Sequence, residues 1–155
     1  MTYRFEVPSA LDYFRSLVAG DGTFPLLEAA ASLAQDEYPE VDVAQVLAQV
    51  DRIAARIARR VSIEEDELQR LRVLNACFFE ELGFAGNVND YYDPDNSFLH
   101  LVLRTRRGIP ISLAVIWLEL AQGLQLQAEG INFPGHLLVK VHLCEPRQGQ
   151  VVIDP

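Results

Sequence analysis

The chain predicts an α+β fold with its helices gathered in the first half. Apolar residues recur at helical spacing as far as Phe79, and short apolar runs bounded by turn residues follow Gly123. Between these regimes, residues 83–96 are crowded with Gly, Asn, Asp and Pro, the residues of tight turns. We therefore expect a helical N-terminal subdomain over residues 1–82 and a mixed core over 83–155. Together they form one structural domain, as a length of 155 residues suggests.

The elements follow in order. Pro8 and Ser9 open a short helix whose apolar face is Leu11, Phe14, Leu17 and Val18, and Gly20-Asp21-Gly22 ends it. Thr23 is the expected N-cap of the next helix, with Pro25 in its first turn and Glu28 complementing the dipole. Pro39 interrupts the following connection. Val43, Val46, Leu47, Val50, Ile53, Ala54 and Ile57 then mark a long amphipathic helix. Ser62 with Glu65 fits a capping box for a helix carrying Leu68, Leu71, Leu74, Ala76, Phe78 and Phe79. Ser97 to Arg106 predicts a short helix. Ser112 opens an apolar helix that ends near Gly123. Strands are expected over 126–131, 137–143 and 151–153, separated by Asn-Phe-Pro-Gly and by the turn from Pro146 to Gly149. One helix followed by antiparallel strands predicts a layer of helix on a small sheet.

Composition narrows the function. Half the residues are hydrophobic, enough for a sizeable core, and the net charge is -9. Such acidity argues against nucleic acid or an anionic membrane as partner. Local basic clusters exist at Arg104, Arg106 and Arg107 and at Arg56, Arg59 and Arg60. Cys77 and Cys144 show no metal-site spacing and are expected as free thiols in a reducing cytoplasm. The opening M-T-Y-R-F-E-V-P lacks the apolar core of a signal peptide, and no run reaches membrane-spanning length.

Three side chains in the second half could form a nucleophile, base and orienter series. Ser112 follows Gly108 and Pro110 at a helix start, where free N–H groups and the dipole favour developing negative charge. The same position suits a capping serine. His136 precedes the apolar run Leu137-Leu138-Val139 and has the acid–base range of a general base. Asp154, before Pro155, could orient an imidazole or simply form a turn. His136 and His142, six positions apart on one strand, lack an acidic third ligand for a zinc site, His100 lies on the short helix, and D-Y-Y-D-P-D-N lacks the spacing of a calcium loop. No metal or other cofactor is expected.

The segments G-F-A-G-N-V-N-D-Y-Y-D-P-D-N-S-F-L, R-R-G-I-P-I-S-L-A, E-G-I-N-F-P-G-H-L-L-V and I-D-P resemble a bacterial branch of the transglutaminase-like superfamily. That branch is related to regulators of invasion genes and is commonly followed by tetratricopeptide repeats. The resemblance implies a papain-like core, with a nucleophilic Cys at a helix N-terminus and His then Asp on an antiparallel sheet. His136 and Asp154 match that order. The Cys is absent: I-P-I-S-L-A offers Ser112 instead, or Pro110 if the alignment shifts. Cys77, in an apolar helical setting, is the poorer substitute. A hydroxyl needs its proton removed during attack, whereas a thiolate does not. Two expectations follow. One is a non-catalytic binding or regulatory module that holds a protein or peptide partner or a small polar ligand through the Ser112–His136–Asp154 cleft or the 87–96 loop, with Asn87, Tyr91, Asn96 and Arg107 as binding residues. The other is a serine-dependent hydrolase or acyltransferase using Ser112, His136 and Asp154. The resemblance also implies a chain cut short at Asp154-Pro155, where the family usually continues.

Overall fold

Helix α1 (Ala10–Val18) begins at Ser9, whose hydroxyl accepts from Asp12 N–H while the Asp12 carboxylate reaches back to Ser9 N–H. This reciprocal cap satisfies two donors that a helix start leaves free. The structure is a computed structural model and describes residues 6–62, 64–144 and 147–155. The first five residues and Pro146, both part of the sequence-based expectations, lie outside the described residues, as do Ile63 and Glu145.

Helix α2 (Leu26–Glu37) starts later than Thr23 suggests. Pro25 itself occupies the cap position, in extended backbone and with no side-chain cap. Its ring fixes φ for the turn into the helix, and the residue before a proline is pushed out of helical space. Helix α3 (Val43–Ala58) matches its apolar pattern and is capped by Asp42, which accepts from Gln45 N–H. Helix α4 (Glu67–Asn75) corrects the expected capping box. Its cap is Asp66, whose carboxylate accepts from Gln69 N–H at 2.7 Å. Ser62 instead accepts from Glu64 N–H in the preceding turn. A π-helical turn, Ala76–Glu81, continues α4 up to Leu82, and Gly83 follows with φ +70.

The second half departs from a plain loop at residues 83–96. Ala85–Gly86 (β1) pairs in parallel with Arg107–Gly108 (β2), and a 3₁₀ turn spans Pro94–Ser97. Helix α5 (Leu99–Thr105) lies between them and ends at Arg106 in left-handed backbone. Helix α6 runs from Pro110 to Gly123. Three strands follow: β3 (Gln127–Phe133), β4 (His136–Leu143) and β5 (Gly149–Ile153), antiparallel in that order.

Helix α6 is apolar nearly all round because it is covered nearly all round. It packs on α3, on α2 and on the face of the sheet that carries Val139, Val141 and Ile153. Trp117 sits fully buried at its centre, with its indole N–H donating to Asn75 Oδ1 on α4 at 3.1 Å. That bond spares the core an unpaired donor. One contiguous core takes in Leu27, Val50, Leu74, Phe78, Leu113 and Val139, so residues on both sides of Gly83 share it. Among the described residues no helix is long and apolar enough to cross a membrane.

Candidate functional site

The start of α6 is the point where the sequence-predicted chemistry meets the fold. Gly108 leaves β2, Ile109 is extended, and Pro110 takes the first helical position, where its missing N–H costs nothing. Ser112 therefore stands at the third helical position rather than at the cap. Its Oγ donates to the Asn96 carbonyl at 2.7 Å and accepts from Ile109 N–H at 3.1 Å. Ile109 N–H also reaches the Asn96 carbonyl at 3.2 Å. Ser112 is only 3% exposed, and a Cβ on Gly108 would lie 2.6 Å from its Oγ. The hydroxyl is thus walled in and hydrogen-bonded on both sides. Among the described residues it makes no bond to His136.

His136 opens β4 on the exposed side, opposite Phe133 and just after Gly135 with φ +77. Val139 pairs with Ile153, so the next step of the register sets Asp154 opposite Leu138, diagonal to His136. Strand alternation then puts His136 and Asp154 on one face of the sheet, opposite the face that Val139 and Val141 bury against α6. Among the described residues no hydrogen bond or ion pair joins His136 to Asp154, and the Ser112 hydroxyl is occupied elsewhere. His142 pairs with Glu129 at 3.0 Å, and Lys140 meets the same carboxylate at 2.9 Å. Lys140 and then His142 hold the Glu129 carboxyl below its usual range. His100 packs edge-on against Tyr38, and burial followed by the Arg104 charge lowers its affinity for a proton. No cluster of three His, Cys, Asp or Glu able to hold a metal occurs among the described residues.

The 87–96 loop is wired from within. Asn87 Nδ2 donates to Asn96 Oδ1 at 2.9 Å, Asn96 Nδ2 donates to the Asp90 carbonyl at 2.9 Å, and Asp90 N–H returns to Asn87 Oδ1. Asn96 is buried, so its amide is an internal brace. Asp93 caps the 3₁₀ turn through Asp95 N–H. Tyr38 donates its hydroxyl to Asp95, a bond that pushes the phenol pKa up to about 12. Arg107 donates to the Gly83 carbonyl at 2.7 Å, fastening the loop's other end. This bracing holds Val88, Tyr91 and Tyr92 outward, with Tyr92 90% exposed and the two tyrosine rings edge-on at 5.1 Å.

Cys77, the alternative nucleophile, is buried, and its Sγ accepts from Arg60 at 3.1 Å. Both cysteines are free. The sequence reasoning passed over Asp51 and Glu119, which line a groove of about 1000 Å³ between α2, α3, α6 and β3. The signal was present: Glu119 is an acid inside the apolar run I-W-L-E-L-A.

The sequence model of the transglutaminase-like superfamily matches residues 44–155, from α3 through β5. The chain belongs to the transglutaminase-like superfamily. This transglutaminase-like chain is 39% identical to a UPF0162 protein of Xylella fastidiosa over 137 residues, which cover 87% of the chain and 47% of that protein. It is 31% identical to a UPF0162 protein of Pseudomonas aeruginosa over 134 residues, covering 84% of the chain and 49% of that protein. Human F-box only protein 21 is 36% identical over 99 residues, which cover 63% of the chain and 15% of that protein. The chain spans about half the length of the bacterial relatives it matches. No solved structure matches it significantly.

Proposed function

We propose that this transglutaminase-like domain is a non-catalytic binding or regulatory module that holds a protein or peptide. The observation that carries this reading is the state of Ser112. A nucleophilic hydroxyl must be open to substrate and aligned with a base. Ser112 is buried, gives its proton to the Asn96 carbonyl and receives the Ile109 N–H. It acts as the pin between α6 and the 87–96 loop. Helix α6, which Ser112 pins at its start, lies on the β3–β5 sheet.

Binding then falls to the loop that the pin secures. Val88, Tyr91 and Tyr92 project from a braced backbone, so little ordering entropy opposes association. Tyrosine supplies both apolar area and a hydrogen-bonding tip, as interface anchors do. Asn87, Asn96 and Arg107 serve as the frame, and Tyr91 as the contact. The chemistry of the His136–Asp154 face is left to ligand contact. Two free thiols fit work in the cytoplasm.

Labelling with a fluorophosphonate tests the reading on the wild type and on the Ser112→Ala and His136→Ala variants, each first shown to melt cooperatively. The expected result is no labelling in any of them. Labelling at Ser112 that disappears in His136→Ala would make the domain a serine hydrolase or acyltransferase and end this proposal.

A further inference from the structure

Strand β3 lies at the edge of its sheet. Its inner side pairs with β4 from Gln127 to Phe133, and among the described residues no strand pairs with its outer side. An unpaired strand edge presents a row of N–H and C=O groups ready for another strand. Alongside this edge runs the groove of about 1000 Å³. It is lined by Leu126–Gly130, by Val115, Leu118 and Glu119 of α6, and by Phe24 and Leu26, both large and exposed. Asp51 on α3 lines it as well.

Part of the groove's charge has no ion-pair partner among the described residues. Glu28 is taken by the Tyr13 hydroxyl, and Glu129 by Lys140 and His142. Asp51 and Glu119 have no ion-pair partner among the described residues, and they repel one another. Burial first, and the Asp51 charge second, raise the Glu119 carboxyl above its usual range. A cation between them would relieve both effects. These features lie along the sides of α6, away from Ser112 at its start, so they do not depend on whether Ser112 reacts.

We propose that this groove takes an extended peptide segment that adds as a strand to the outer edge of β3 and delivers a lysine or arginine to Asp51 and Glu119. Main-chain bonds to the edge supply affinity, and side-chain pockets supply selection. The alternate side chains that face inward meet Leu118 and Val115. The basic one meets the two carboxylates.

The probe is a fluorescent nine-residue peptide of alternating Val and Thr with a central Arg. Its comparators carry a central Glu or N-methyl groups on the alternate amides of one edge or the other. Binding is followed by fluorescence anisotropy and mapped on the backbone amide spectrum. The Arg peptide is expected to bind at least about tenfold more tightly than the Glu peptide, a difference of about 1.4 kcal/mol. Its amide shifts should centre on residues 127–133. One N-methyl pattern should abolish binding, and the Asp51→Asn/Glu119→Gln double variant should lose about tenfold, as removal of a facing charge does. Glu119→Gln alone, with an unchanged amide spectrum outside the groove, guards against a folding defect. No binding up to about 1 mM, the weak end of specific affinities, would overturn the proposal. So would equal binding of the Arg and Glu peptides, or shifts centred elsewhere. Fluorophosphonate labelling of Ser112 would end the previous reading and leave this one intact.

Discussion

Ser112 shows how one hydroxyl can be read as chemistry in a sequence and serve as architecture in a fold. Its Oγ joins the Asn96 carbonyl and the Ile109 N–H, while Gly108 passes so close that a methyl group would stand 2.6 Å away. Ser112→Ala should cost about 1 kcal/mol rather than the larger penalty of an orphaned buried group, because Ile109 N–H keeps the Asn96 carbonyl as partner. Gly108→Ala should cost about 1–3 kcal/mol through overpacking against Oγ and Val102. Combined, the two should cost less than their sum by about 1 kcal/mol, since removing Oγ opens the space the new methyl needs. Urea unfolding of the four proteins measures this coupling. Strict additivity would show that Oγ and Gly108 are not in the contact described. The strands that begin at His136 and end just before Asp154 were legible in the apolar runs. The hydroxyl's partners were not, since the Asn96 carbonyl belongs to a 3₁₀ turn that no local pattern announces and that lies 16 residues earlier in the chain.

At the scale of elements, apolar periodicity placed the helices and strands well, and the caps located their starts less well. Ser62 with Glu65 has the spacing of a capping box, yet Asp66 competes for the same task and wins. Its carboxylate lies in the positive field of the helix start, where a charged acceptor is stronger than a hydroxyl. Asp66→Ala should therefore destabilise the protein by about 1 kcal/mol, the usual worth of an N-cap. Ser62→Ala should change stability by less than about 0.5 kcal/mol, as surface substitutions do. Thermal melting of both variants decides the matter, and the reverse order would restore Ser62 as the true start. Thr23 failed for a related reason: Pro25 sets the backbone at the start of α2 without needing a side-chain acceptor. The π-helical turn at Ala76–Glu81 had no signature in the apolar pattern, because one inserted residue barely disturbs a stripe of six.

For the whole molecule, this acidic chain sets one of its charges close to the core. Glu119 is where it does so, on α6 itself, in a groove shared with Asp51. The groove was invisible to sequence reasoning because its walls come from α2, α3, α6 and β3, which only the fold brings together. Burial, then Asp51, raises the folded-state pKa of Glu119 above its unfolded value. Between those two values the folded chain holds the proton more tightly than the unfolded chain, so this group's contribution to stability falls as pH rises. At neutral pH its charge is a net cost. Glu81 and Glu129 slope the other way, because Arg60 and Lys140 lower their values. The difference between wild type and Glu119→Gln isolates the one group from these opposing ones. The variant should be more stable near pH 7 by about 0.5 kcal/mol, the order of an exposed charge pair. That advantage should shrink as pH falls and vanish near pH 3.5, where an ordinary carboxyl is largely protonated. Urea midpoints measured across this range test it. A variant less stable at pH 7, or a difference that ignores pH, would mean that the Glu119 carboxylate already has a stabilising partner, and the case for a basic ligand in the groove would go with it.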